Sequence, residues 1–435
     1  MKCIVAFFAL IFATPLWAMP EIQTIVTRQG VNAWLVEDHN IPFVALELRF
    51  IGGASIEPLE KRGVATLMTG LLEEGSGDMD AQSFATARET LAASFGYDVY
   101  DDALAISAKI LTENRDDAVT LLRQSLIEPR FDTDAIERVR SQILAILSSN
   151  EKSPRDIASK HFNAKAYGNH PYATNYEGTP ETISALTKND LIDIHRQLLV
   201  KDRVIVSAVG DISAADLSEL IDHLLDGLPQ SSDRPLPQSA TVTLDGTIDV
   251  IQFPTPQSFV IFGQTSIAQN DPDFFAAYIL NHILGGGGFE SRLMTEVREK
   301  RGLTYGIGTF LAGRDYANLL MGQVSSSNDT VAQAIEVIRD EWRKLAQKGV
   351  TPNELAAAKT YLTGAYPLRF DGNGPIANIL VGMQRMGLDP DYIKTRNDRI
   401  NTVSLEEINR VAARLMDADN LYFVVVGEPV GLANN

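Results

Sequence analysis

The sequence predicts an α+β fold of two homologous domains, each a mainly antiparallel sheet covered by helices. Three observations carry that prediction. A Pro/Ser/Gln-rich stretch from Leu228 to Ser239 divides the 435-residue chain into nearly equal parts. Within each part, strand-like apolar runs alternate with helical stretches of ten residues or more. The two parts also echo one another in order and spacing.

The echoes are specific. Val204 to Asp211 (VIVSAVGD) and Tyr422 to Glu428 (YFVVVGE) are both buried-strand runs ending in Val-Gly-acid, with Gly427 lying 217 residues after Gly210. Ahead of each comes an amphipathic helix opened by a capping signal, Thr187 to Asp190 and Ser404 to Glu407, again 217 apart. Thr133-Asp134 and Thr351-Pro352 open two long helices at an offset of 218, and Phe50 to Ile56 is echoed by Ile261 to Ile267 at 211. In the first part the order runs from a hairpin over Ile22 to Arg49 to a helix from Gly63 and a strand near Ala103 to Ile110. Helices from Asp116, Thr133 and Asn189 follow, then the strand at Val204. Helices on one face of a mainly antiparallel sheet fit that order better than strict βαβ alternation. The expected division is residues 19–227, a linker over 228–245, and 246–435.

Residues 1–18 have the charged start, short apolar middle and small final residue of a secretory signal. The expected location is therefore periplasmic or secreted. Cys3, the sole cysteine, would leave with that segment, so stability must come from core burial, which a 45% hydrophobic composition permits. The net charge of −18 disfavours nucleic acid and anionic membrane surfaces, and no later segment is apolar enough for membrane insertion.

The strongest local signal runs from Ile283 to Gly306 (ILGGGGFESRLMTEVREKRGLTYG). The run Gly285, Gly286, Gly287 and Gly288 precedes a helix with apolar Leu293 and Val297, and Gly302 suits the helix stop before a strand over Leu303 to Leu311. No Gly-Lys-Ser/Thr follows the glycines, which argues against a phosphate cradle. They read as a flexible connector or as a peptide-contacting loop. Arg298 and Tyr305 flank the helix-to-strand junction, where a guanidinium could hold a carbonyl and a phenol could donate to a developing oxyanion. By spacing alone a surface Arg and a core Tyr would be the usual explanation of the pair.

The order of glycine loop, Ser291-Arg292-Leu293 and Glu296 to Tyr305 resembles the second domain of the M16 peptidase family, the pitrilysin, insulinase and mitochondrial processing peptidase relatives. Phe50 to Gly63, His170-Pro171-Tyr172 with Gly178, Thr187 to Leu191 and Val209-Gly210-Asp211 resemble further landmarks of that family. The resemblance implies the LuxS/MPP-like metallohydrolase fold, two homologous α+β domains closing on a chamber. In active relatives a first-domain helix carries His-x-x-Glu-His, an inverted zinc motif, completed by a distant Glu. Matching the family pattern puts Thr66, Thr69 and Gly70 at the motif positions and Val139 at the distant one. Glu137 lies two residues away, a turn of about 200° on a helix.

None of the six histidines pairs with another at i, i+3 or i+4, so no metal site is expected on this chain. The resemblance therefore implies an accessory subunit that lends Arg298 and Tyr305 to a peptide-cleaving site. Zinc and the Glu base would come from a partner homologue with an intact motif, most simply in a heterodimer. Residues Gly285 to Gly288 would correspond to a shortened substrate-handling loop. A scaffold role without proteolysis is the alternative.

Overall fold

The computed structural model describes residues 20–432. The export signal expected over residues 1–18 lies outside them. The first sheet contains β1 (Gln23–Val26), β2 (Asn32–Glu37) and β3 (Phe43–Ile51). After a small separate hairpin, β4 (Gly75–Ser76) and β5 (Met79–Asp80), it gains β6 (Ser94–Val99), β7 (Ala103–Leu111) and β8 (Val204–Gly210). The second sheet is built from β9 (Ile248–Gln252), β10 (Gln257–Thr265), β11 (Ile307–Gly313), β12 (Asn318–Ser327) and β13 (Tyr422–Gly427).

The first half contributes helices α1 (Val64–Thr69), α2 (Ala81–Thr90), α3 (Arg115–Ile127), α4 (Thr133–Asn150), α5 (Pro154–Tyr167), α6 (Pro180–Ala185), α7 (Lys188–Leu198) and α8 (Ala214–Leu225). The second half contributes α9 (Phe274–Asn281), α10 (Val331–Lys348), α11 (Pro352–Gly364), α12 (Asn373–Arg385), α13 (Tyr392–Thr402) and α14 (Leu405–Leu415).

Strand order shows the duplication directly. The sheets read β1-β2-β8-β3-β7-β6 and, in the matching sense, β9-β13-β10-β12-β11. In each, one parallel pair (β2 with β8, β9 with β13) sits beside antiparallel neighbours. The register refines one echo. Leu46 faces Ala208 and Val260 faces Val425, so β3 corresponds to β10 at an offset of 214 rather than 211. Gly52 and Gly53 lie beyond the end of β3 whereas Gly263 is paired inside β10, so the glycine match that suggested 211 is not a structural equivalence. Both capping boxes form: Thr187 with Asp190 opens α7, and Ser404 with Glu407 opens α14.

One expectation needs correction. Helices cover both faces of each sheet, and the second cover comes from the other half. In β2, Ala33 and Leu35 point into a core formed with helices of the first half, while Trp34 and Val36 point the opposite way, onto residues of the second half. There Ala377 and Leu380 of α12 complete the layer, and the Ser207 hydroxyl donates to the Ala377 carbonyl at 2.6 Å. Reciprocally, Ala158, Phe162 and Ala166 of α5 pack against Phe259 and Ile261 of β10 and Tyr422 and Val424 of β13. Sheets buried on both faces require continuous apolar strands, and this is why VIVSAVG and YFVVVG lack alternation.

The connector between α8 and β9 contains neither helix nor strand, yet it is laid against both halves. Its Pro229 carbonyl accepts from Lys201, and its Ala240 amide donates to Tyr316.

Candidate functional site

Helix α1 is where the metal-binding helix would lie, and it is firmly placed. Gly63 starts it at φ 91°, and a β-carbon there would stand 2.5 Å from the Glu177 carbonyl oxygen. The buried carboxylate of Glu57 accepts from the amides of Gly63 at 3.1 Å and Ala65 at 2.5 Å, and pairs with Arg62 at 3.2 Å. Burial outweighs those partners and pushes the Glu57 carboxyl up to about 7.

The chemistry along the helix is apolar. Leu67 and Met68 are fully buried, and the Thr66 hydroxyl is spent on the Tyr176 carbonyl at 3.1 Å. Thr69 is buried, with no protein partner for its hydroxyl among the described residues. Gly70 lies against the very residue that marks the distant ligand position. A β-carbon added at Gly70 would come 3.0 Å from Cγ1 of Val139. Gly70 and Val139 therefore meet in a packed contact, none of the four positions carries a His, Cys, Asp or Glu, and zinc does not fit there. Glu73 pairs with Arg88 and Glu74 with Arg138, while Glu137 is solvent-facing beside Arg140. Among the described residues no three of His, Cys, Asp or Glu gather as a metal-binding group.

The glycine segment is held closely against the second sheet. It is not a slack connector. The chain leaves α9 through a wide π-helical turn, His282–Gly286, and after Gly287 and Gly288 re-forms a second π-helical turn, Met294–Glu299. Gly285 presses on β11, where a β-carbon would lie 2.6 Å from Oγ1 of Thr309 and 2.8 Å from its amide nitrogen. At Gly286 it would meet the Asn281 side chain at 2.7 Å. The glycines permit this close approach of main chain to sheet. Two π turns bracketing one loop are a signal that apolar spacing could not reveal, and such insertions concentrate at functional sites.

Arg292 anchors the loop. Its guanidinium grips Glu354 at 2.6 and 2.8 Å and the Gly349 carbonyl at 3.0 Å, fixing the second π turn to the start of α11. Six residues later, Arg298 stacks over the Phe289 ring at 4.7 Å and forms no ion pair among the described residues.

The strand expected from Leu303 begins later, at Ile307, and leaves Tyr305 in a bend two residues before β11. It is neither core nor paired, and is 86% exposed. The bend itself is held tightly. The neighbouring Thr304 hydroxyl contacts the Ser325 carbonyl at 2.6 Å and the Gly306 amide at 3.0 Å, and the Leu303 carbonyl accepts from Ser326. Phe289 and Phe310 are exposed on the same stretch of chain. A guanidinium and a phenol thus sit on anchored backbone, both free to donate to something outside the chain.

The comparisons match this architecture. Residues 33–180 match the family model described as insulinase (peptidase family M16), and residues 185–362 match the one described as peptidase M16 inactive domain, together more than half of the chain. A Helicobacter pylori protein named non-peptidase homolog YmxG is 28% identical over 407 residues, covering 92% of this chain and 94% of that one. A Bacillus subtilis relative named uncharacterized zinc protease YmxG is 21% identical, covering 94% and 99%. The crystal structure of a peptidase M16 inactive domain from Pseudomonas fluorescens superposes with a TM-score of 0.87 at 28% identity, over 95% of this chain and 99% of that one. With its duplicated strand order, its two family matches and its altered zinc-motif positions, the chain belongs to the M16 peptidase family.

Proposed function

We propose that this chain is the non-catalytic, substrate-binding subunit of a heteromeric M16 zinc peptidase acting in the periplasm or outside the cell. Arg298 and Tyr305 complete a site whose zinc and Glu base reside on a partner chain. The observation that carries the reading is a contrast within one molecule. At the expected zinc-motif positions Gly70 closes against Val139 and no metal ligand or base is present, whereas Arg298 and Tyr305 are held on anchored backbone with their donors uncommitted.

Arg298 offers planar donors to a peptide carbonyl, and Tyr305 offers a hydroxyl to the oxygen that gains charge as the carbonyl is attacked. Strand β11 is a sheet edge, two residues beyond Tyr305, and can take an extended peptide by strand addition. Unfolded or peptide substrates suit that mode of capture.

The test is reconstitution. Each chain is purified alone and with a homologue carrying an intact zinc motif, zinc is quantified, and cleavage of an unfolded peptide is followed. The proposal expects cleavage only by the pair, with zinc on the partner. Stoichiometric zinc and chelator-sensitive hydrolysis in this chain by itself would overturn it. Paired cleavage that ignores loss of Tyr305 would favour a scaffold.

A further inference from the structure

A cleft of about 320 Å3 opens between α9, α12, α13 and the turn Pro367–Arg369. Three tyrosines, Tyr278, Tyr366 and Tyr392, help line it, and Arg396 forms part of its wall. Arg396 is buried, yet its partners are all neutral. It donates to the Leu362 carbonyl at 3.2 Å, to Asn397 at 3.0 Å and to the Tyr278 hydroxyl at 3.3 Å, and lies over the Tyr366 ring at 4.1 Å.

The contrast with Arg62 is informative. That arginine is as deeply buried, and the chain supplies it with two carboxylates, Glu57 and Asp101. Among the described residues Arg396 has none, and no Asp or Glu lines the cleft. A second lining cation, the exposed Arg369, is likewise without an ion pair. Burying a guanidinium without a counter-charge is costly, and the natural compensation is an anion from outside. Burial also keeps the Tyr366 phenol protonated, its ionisation pushed up to about 12, so it remains a donor.

We propose that this cleft binds a free carboxylate carried on an apolar group, namely the C-terminal carboxylate of a peptide ending in an apolar residue. Arg396 and Arg369 meet the carboxylate, the aromatic walls take the side chain, and the amide of Gln269 serves the preceding peptide group. The site is separate from the glycine loop and does not depend on the role given to Arg298 and Tyr305.

Calorimetric titration of the full chain tests it with N-acetylphenylalanine, its uncharged amide, and decanoate. The acid is expected to bind about tenfold or more tightly than the amide. Arg396→Gln should abolish that preference. Should that variant not fold, Gly382→Leu is the second probe. Gly382 lines the cleft and a β-carbon there meets nothing within 4 Å, so leucine fills the space without strain and should block binding. Equal affinity for acid and amide, or undiminished binding in Gly382→Leu, would refute the site. Decanoate binding in preference to the acetylated amino acid would overturn the peptide assignment.

Discussion

Tyr305 carries the functional reading at the scale of single residues. Its ring is exposed and its bend is held by Thr304, so Tyr305→Phe should leave folding untouched. In a reconstituted pair the loss of one oxyanion hydrogen bond should lower turnover on the order of 10²-fold, with little change in peptide binding. Gly70 gives the complementary prediction. Gly70→His forces a side chain against Val139 and should destabilise the chain by about 1–3 kcal/mol without creating zinc affinity, as denaturation and metal analysis would show.

His195 supplies a pH dependence. It is buried, with Nε2 2.8 Å from the Leu126 carbonyl oxygen, and burial lowers its titration from 6.5 to about 4. The unfolded chain therefore takes the proton first. The stability contributed by the neutral ring is complete above pH 6.5 and is lost as pH falls toward 4, about 3 kcal/mol in all. In His195→Gln the fall in melting temperature across that window should be shallower.

At the scale of elements, the glycine loop depends on its two attachments. Glu354 titrates at about 2, held down from 4.5 by Arg292 and by the Thr351 capping contacts against the opposing effect of burial. That contribution is complete above 4.5 and lost as pH drops through 2. Arg292→Met should raise amide exchange through the 283–300 segment while global unfolding shifts little. At the other attachment, Gly285→Val drives a branched side chain into Thr309 and the β11 backbone. It should displace the loop and impair paired cleavage more than it impairs folding, read from activity against circular dichroism.

For the whole molecule, the exchanged helices decide behaviour. Each sheet has one face closed by a helix from the other half, α12 on the first and α5 on the second. Neither half can unfold without exposing the other's strands. A calorimetric scan should therefore show one transition rather than two. Phe162, fully buried between α5 and the second sheet, is the natural probe. Phe162→Ala should cost about 3–5 kcal/mol and lower the melting of both halves together. Separate melting of the two halves would contradict this account.

The sequence by itself determined the duplication, the capped helices α7 and α14 and the apolar strands β8 and β13, and its family resemblance located the missing histidines and glutamates at Thr66, Thr69, Gly70 and Val139. The duplication, the caps and the apolar strands are written in local composition or in regular spacing along the chain. Tertiary structure decided what spacing cannot encode. The contact of Val139 with Gly70 and the crossing of α5 and α12 onto foreign sheets are long-range packing choices. Both depend on which apolar faces meet, not on how often apolar residues recur. The π turns around the glycines add a residue per turn without disturbing the local apolar pattern, so Leu293 and Val297 promised only a helix. Tyr305 likewise read as strand because the stretch Leu303 to Leu311 spans it, and Thr304's hydrogen bonds to the adjacent main chain hold the bend that leaves it exposed.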